Sequence, residues 1–265
     1  NGFTPSLVFT EDLYNSFGFG YHHPLAIRNF CDFLLEKSDT FIPRFLTLLG
    51  KGYQTPDYRY DVFGQGDIVP AMGVPGSDNM FTSGLKGSNL WEPAMATGRI
   101  SARNDNEVRD YLQKLREYES AGNQYWRKEV MHLSGGSDAT QAARILGALS
   151  GLIPLVEDST FGGKVITFSR SNKSLIDPEI RNSTIDNFKK GKNLITFIGH
   201  GSSSVFDLDV GAPTDYQNVG KYPVCYFNGC STGNPFYPES SNDLPYGLEM
   251  MRLKRSGSIA FMAQT

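Results

Sequence analysis

Short apolar runs alternate with stretches of helical spacing along most of the chain, the pattern of an α/β fold with a mostly parallel, buried sheet flanked by helices. Strands are predicted at Ser6–Phe9, Phe45–Leu49, Ile68–Met72, Ala94–Thr97, Glu129–Leu133, Val165–Phe168, Leu194–Ile198, Val224–Phe227 and Ser258–Met262. A helix from Pro24 to Lys37 puts Ile27, Phe30, Cys31 and Leu34 on one face, with Pro24 suited to the first turn. A second, from Asp105 to Tyr118, carries Val108, Leu112, Leu115 and Tyr118 at helical spacing behind a cap at Asn104 or Asp105. Further helices are predicted over Ser137–Leu149, Asp177–Lys190 and Leu244–Lys254. The stretch Gly50–Asn89, rich in Gly, Tyr, Asp and Ser, reads as a long loop region or a decorated hairpin. Ser120, Gly122 and Asn123 interrupt the pattern at 119–123, which divides the chain into an N-terminal subdomain, 1–120, and a C-terminal one, 121–265. The sequence stops just after an apolar strand, as a chain cut before its natural end would.

Charge narrows the choice of partner. Twenty-five basic and twenty-eight acidic residues leave a net charge of −3, which gives no electrostatic reason to expect nucleic acid or an anionic membrane surface. No apolar run approaches the roughly 18 residues of a transmembrane helix, and the first twenty residues lack the pattern of a signal peptide. Small molecules and polypeptides remain as partners. Three cysteines, Cys31, Cys225 and Cys230, are too few for a disulfide framework and lack zinc-site spacing. Cys225 and Cys230 lie roughly 16 Å apart along an extended strand, too far to bridge.

The chemistry concentrates in one segment. The run Leu194–Ile198 ends in Gly199-His200-Gly201-Ser202, and the run Tyr222–Phe227 ends in Asn228-Gly229-Cys230-Ser231-Thr232-Gly233. If the two strands are parallel neighbours, His200 and Cys230 meet at the carboxyl edge of the sheet, where open α/β folds bind ligands. The flanking glycines would let a substrate backbone approach and leave N–H groups facing an oxyanion. A thiol beside an imidazole is a competent nucleophile near neutral pH. The structural alternative stands beside this, because strand-end His and Cys are also common packing residues. Gly229–Gly233 also matches the Gly-x-Ser-x-Gly elbow of serine hydrolases, but all four histidines precede Ser231, and Pro235 and Pro238 interrupt the helix that should follow. His22 and His23 read as surface residues and His132 as a core or edge histidine. No metal site is assigned. Asp207 and Asp209 admit either a calcium ion or a solvated turn.

These residues resemble the gingipain-type cysteine peptidases, relatives of the caspases and legumains, whose pattern is a hydrophobic run with His-Gly followed by a second run ending in the catalytic Cys. Val8–Phe30, Phe45–Gly50, Ser77-Asp78-Asn79, Gly98-Arg99-Ile100 with the helix ending in Tyr118-Glu119, and Gly257–Thr265 are similar to family blocks in family order. The N-terminal block is closest in appearance to members acting as signal peptidase and sortase of type IX secretion. The resemblance implies a caspase-like fold, Cys230 as nucleophile and His200 as general acid/base. It also implies an oxyanion hole from the amides of Gly201 and Cys230, a polypeptide substrate with no required cofactor, secretion-system partners, and a secreted or cell-surface location. Cys225 has no family role. One position departs: where the family carries an acid four before the glycine of the Gly-Arg block, this chain has Ala94. Glu92 is the candidate substitute for orienting His200. Without one, the alternative is a weakly active or non-catalytic module of the same fold. Asp105, where a specificity acid could lie, reads as a helix cap.

Overall fold

The computed structural model describes residues 2–37, 42–54, 66–170, 176–237 and 244–265. The chain separates into two compact units, Asn1–Asn104 with Phe236–Pro238, and Asp105–Pro235 with Glu239–Thr265. The division precedes the Asp105 helix rather than following it at residue 120. The reason lies in what that helix holds: Lys114 Nζ donates to the carbonyls of Met250, Met251 and Ser256, and Tyr111 Oη donates to Ile259 O, all in the second unit.

In the first unit, helix α1 (Thr10–Phe17) begins directly after the predicted Ser6–Phe9 strand, which does not form. Glu11 and Asp12 sit in its first turn, where the helix dipole favours them. Helix α2 (Pro24–Lys37) buries Ala26, Ile27, Cys31 and Leu35 against Leu13, Leu48, Phe81 and Met95. Strands β1 (Phe45–Leu49) and β2 (Ala96–Ile100) pair in parallel, Phe45 opposite Ala96. Strand β2 starts two residues later than predicted because the amides of Ala94 and Met95 are taken by the Thr82 carbonyl and hydroxyl. Nor does Ile68–Met72 form a strand: the amides of Ile68 and Val69 both turn to Lys51 O. Residues 55–65 of the predicted Gly50–Asn89 loop region lie outside the described residues.

Two family-like blocks meet here for a plain electrostatic reason. Arg99 on β2 makes a bidentate pair with Asp78, at 2.8 Å through Nε and 2.7 Å through Nη2, and its Nη1 donates to Gly50 O and Val69 O. A nearly buried guanidinium needs such saturation, because an unpaired buried charge costs about 3–5 kcal/mol.

The second unit is built on a five-stranded parallel sheet in the order β4-β3-β5-β6-β7. Its strands are β3 (Glu129–Ser134), β4 (Lys164–Ser169), β5 (Leu194–Ile198), β6 (Val224–Asn228) and β7 (Ala260–Ala263). Helices α3 (Asp105–Ser120), α4 (Ala139–Ser150), α5 (Ile153–Glu157), α6 (Pro178–Lys190) and α7 (Tyr246–Arg252) connect them. The predicted strands and helices recur here with shifts at their ends. Strand β7 starts late because Ser258 N and Ile259 N bond Met250 O and Pro223 O. Alternation along the strands puts Met131, Leu133, Ile195, Phe197, Cys225 and Phe227 on one face, packed with Phe188, Phe206, Tyr216, Tyr246 and Met250. Truncating one of these phenylalanines to alanine removes about 3–5 kcal/mol.

One segment corrects the reading of hydropathy. Ala139–Glu157, spanning α4 and α5, is long and apolar enough by composition to cross a membrane, and little of it is buried. The run is hidden from simple inspection because Thr140, Gln141, Arg144 and Ser150 punctuate it. In the fold it is the crossover between β3 and β4, broken at Gly151 and Leu152.

Candidate active site

Strands β5 and β6 are parallel neighbours in register, Leu194 opposite Val224 and Ile198 opposite Asn228. The sheet runs outward in both directions from β3, with β4 on one side and β5 on the other, so the topological switch point lies between β3 and β5. Ligands of open α/β sheets bind at the carboxyl edge there. His200 follows β5, Cys230 follows β6, and the Gly135-Gly136-Ser137 turn follows β3.

Glycines allow the strand ends to close on one another. Gly199 N donates to Asn228 O at 3.2 Å, extending the ladder one residue before His200 leaves it. A Cβ at Gly199 would lie 2.5 Å from Asp207 Oδ1, and one at Gly201 would lie 2.8 Å from Thr232 Cγ2. The turns flanking His200 and Cys230 are therefore in direct contact, and both candidate residues are exposed. The Cys230 turn is held firmly: Thr232 Oγ1 donates to Gly229 O at 3.0 Å, Gly247 N to Thr232 O, and Gly233 N to Gln264 O. Ser231 takes a left-handed φ of 57°, a conformation that surrounding contacts must impose on a non-glycine residue.

His200 is anchored through both backbone and ring. Its carbonyl accepts from Asp207 N at 3.0 Å, while Nε2 meets Gln141 Oε1 at 2.9 Å. Gln141 is the residue that sequence reasoning missed. A signal was present in Asp138-x-x-Gln141 just after a strand, a capping-box spacing. Asp138 accepts the amides of Thr140 and Gln141, which holds its carboxyl below the usual range. The Gln141 oxygen also accepts from Ser137 N and Ser137 Oγ. Glu92 lies exposed in the first unit, where its carboxylate accepts from Asn89 Nδ2 at 3.0 Å. The His200 ring bonds the neutral side-chain amide of Gln141.

The remaining candidates fall into place by packing. Cys225 is buried in β6, its thiol pushed well above the ordinary range by desolvation. Cys31 is likewise buried and pushed up to about 12. All three cysteines are free thiols, and Cys230 alone is exposed. His132 is buried on β3, with Nδ1 against Thr196 Oγ1, and burial lowers its pKa. His23 Nδ1 accepts from Leu25 N, and His22 packs edge-on against Tyr14. Asp105 is the first helical residue of α3, in an acidic first turn with Glu107. Asp207 Oδ2 accepts from Gly136 N at 2.6 Å, and Asp209 accepts from the amides of Asp177 and Gly211. Among the described residues no group of three or more His, Cys, Asp or Glu is arranged to hold a metal. After Cys230 the chain enters a turn, not the immediate helix of a serine-hydrolase elbow.

A parallel sheet flanked by helices, with Cys and His at adjacent strand ends, is the caspase-like architecture of a class of cysteine peptidases. The chain belongs to peptidase family C25, whose sequence profile matches residues 1–265. Its fold is similar to that of the Arg-specific cysteine proteinase gingipain R, with TM-score 0.66 and 18% identity over 95% of this chain and 58% of that one. It is also similar to a structure described as a protease, with TM-score 0.70 and 16% identity over 90% of this chain and 49% of that one. A third likeness is to the complex of Porphyromonas gingivalis RgpB pro- and mature domains, with TM-score 0.64 and 19% identity over 94% and 58% of the two chains. The chain thus spans about half to three-fifths of these structures. No curated protein matches it significantly.

Proposed function

We propose that this chain carries the catalytic centre of a gingipain-type cysteine endopeptidase, with Cys230 as nucleophile and His200 as general acid/base. The supporting observation is the contact between the two glycine-flanked turns at the carboxyl ends of β5 and β6, which leaves one exposed thiol and one exposed imidazole beside each other's turns. In this reading the Cys230 thiolate attacks the scissile carbonyl, and the amides of Gly201 and Cys230 hold the oxyanion. His200 protonates the leaving amine, and water hydrolyses the thioester. An amine arriving first would take the acyl group instead, giving transpeptidation. The resemblance of the Val8–Phe30 block extends the proposal to type IX secretion, with a polypeptide substrate, secretion-system partners and a secreted or surface location. A second reading, a weakly active or non-catalytic module, draws support from the neutral amide at His200, where a carboxylate would assist more strongly.

Iodoacetamide separates the two readings. Cys230 should alkylate at least about tenfold faster than Cys31 and Cys225, and His200→Ala should slow it at pH 6, because the thiolate is the reactive form. Alkylation of Cys230 at the rate of an ordinary exposed thiol, indifferent to His200, favours the non-catalytic module.

A further inference from the structure

We propose that Gln141 is the positioning residue for His200, fixing both the plane and the tautomer of its ring across the switch point of the sheet. The inference rests on the Cys230–His200 reading for its catalytic meaning, but its geometry stands separately. The Gln141 amide orientation is set by Ser137, since its backbone N–H at 2.7 Å can only donate and so requires the oxygen on that side, where the Ser137 hydroxyl at 2.9 Å also donates. An oxygen facing His200 Nε2 at 2.9 Å in turn requires that nitrogen to carry the proton. In the neutral ring the lone pair then belongs to Nδ1, the atom free to take the Cys230 thiol proton and return it to the leaving amine.

The support behind Gln141 is rigid. Asp138 caps α4 through the amides of Thr140 and Gln141, which fixes the turn from which the side chain projects. The other charged groups around the turn are Asp138, Arg144, Arg170 and Asp207, and Asp207 Oδ1 is buried without a hydrogen-bond partner. Asp207, in the loop after His200, accepts from Gly136 N, and Arg170, at the end of β4, donates to Gly136 O. Asp138 is committed to its capped amides. The ring nitrogen is thus met by a neutral acceptor, which orients it without the added charge stabilisation that a carboxylate would give an imidazolium.

The test is NMR titration of His200 in the intact chain, together with iodoacetamide alkylation of Cys230 at pH 6, in Gln141→Glu, Gln141→Leu and His200→Ala. Gln141→Glu keeps the acceptor and adds a charge, so the His200 midpoint should rise by about one unit and alkylation should accelerate several-fold. Gln141→Leu should lower the midpoint and slow alkylation, with the glutamate variant showing that the fold is kept. Midpoints unchanged in both Gln141 variants would overturn the assignment, even if Cys230 and His200 prove essential. Alkylation indifferent to His200→Ala would instead sink the dyad, while the titration still decides whether Gln141 governs the ring.

Discussion

Replacing Cys230 with alanine is expected to lower hydrolysis of labelled casein by roughly 10⁴-fold or more, as deletion of a nucleophile does in enzymes that act through a covalent intermediate. Ser231→Ala should keep at least about half of the activity. The two residues are adjacent in a tight turn, but only Cys230 is exposed, while Ser231 is half-buried in the left-handed conformation. Alanine and serine carry the same Cβ, so the strain at 231 is unchanged by that substitution and the comparison isolates the thiol from the hydroxyl. Equal losses in the two variants would point back to a serine nucleophile or to collapse of the turn.

The second large effect concerns stability. Lys114 is fully buried on α3, its ammonium surrounded by the carbonyls of Met250, Met251 and Ser256 and by the Tyr222 ring. Lys114→Met should destabilise the chain by about 2–4 kcal/mol, because three buried acceptors lose their donor. Burial drives the lysine pKa down to about 7 from an ordinary 10.5, against a smaller opposing pull from Cys225. Between those two values the unfolded chain binds the proton and the folded chain does not, its neutral amine then sharing two N–H donors among the three carbonyls. Stability from this group therefore rises with pH from about 7 to about 10.5 and is least below 7. Buried Cys31 and Cys225 act in the opposite direction at alkaline pH, since their thiols titrate more readily once unfolded. The difference between wild type and Lys114→Met in urea unfolding isolates the lysine. That difference should widen from pH 7 to pH 10, and a constant gap would mean that the ammonium stays charged throughout.

The legible parts of the sequence share a physical property. Strands β3, β5 and β6 are central in the sheet, and each is a short, mostly apolar segment followed directly by a glycine, although Tyr226 of β6 is exposed. Helix α2 was legible from its period and its first-turn proline. What was not legible depended on long-range hydrogen bonding. Ala94–Met95 looks like strand but is claimed by Thr82, and the amides of Ile68 and Val69 converge on Lys51. The division before Asp105, rather than at 119–123, is not legible locally because the ties of Lys114 and Tyr111 to residues more than 130 positions away leave no mark in local composition. His200 and Cys230 announced themselves through glycine-flanked strand ends. Gln141 did not, because a polar residue in the first turn of a helix is ordinary in isolation, and only the return of β5 beside β3 gives it a histidine to face.

The acyl-enzyme itself can be caught. A mixture of peptide p-nitrophenyl esters is reacted with the chain, quenched in acid, and mapped by mass spectrometry for a hydroxylamine-labile adduct. The acyl group is expected on Cys230, absent in Cys230→Ala and accumulating more slowly in His200→Ala. An adduct on Ser231, or turnover of the esters that persists in Cys230→Ala, would contradict it.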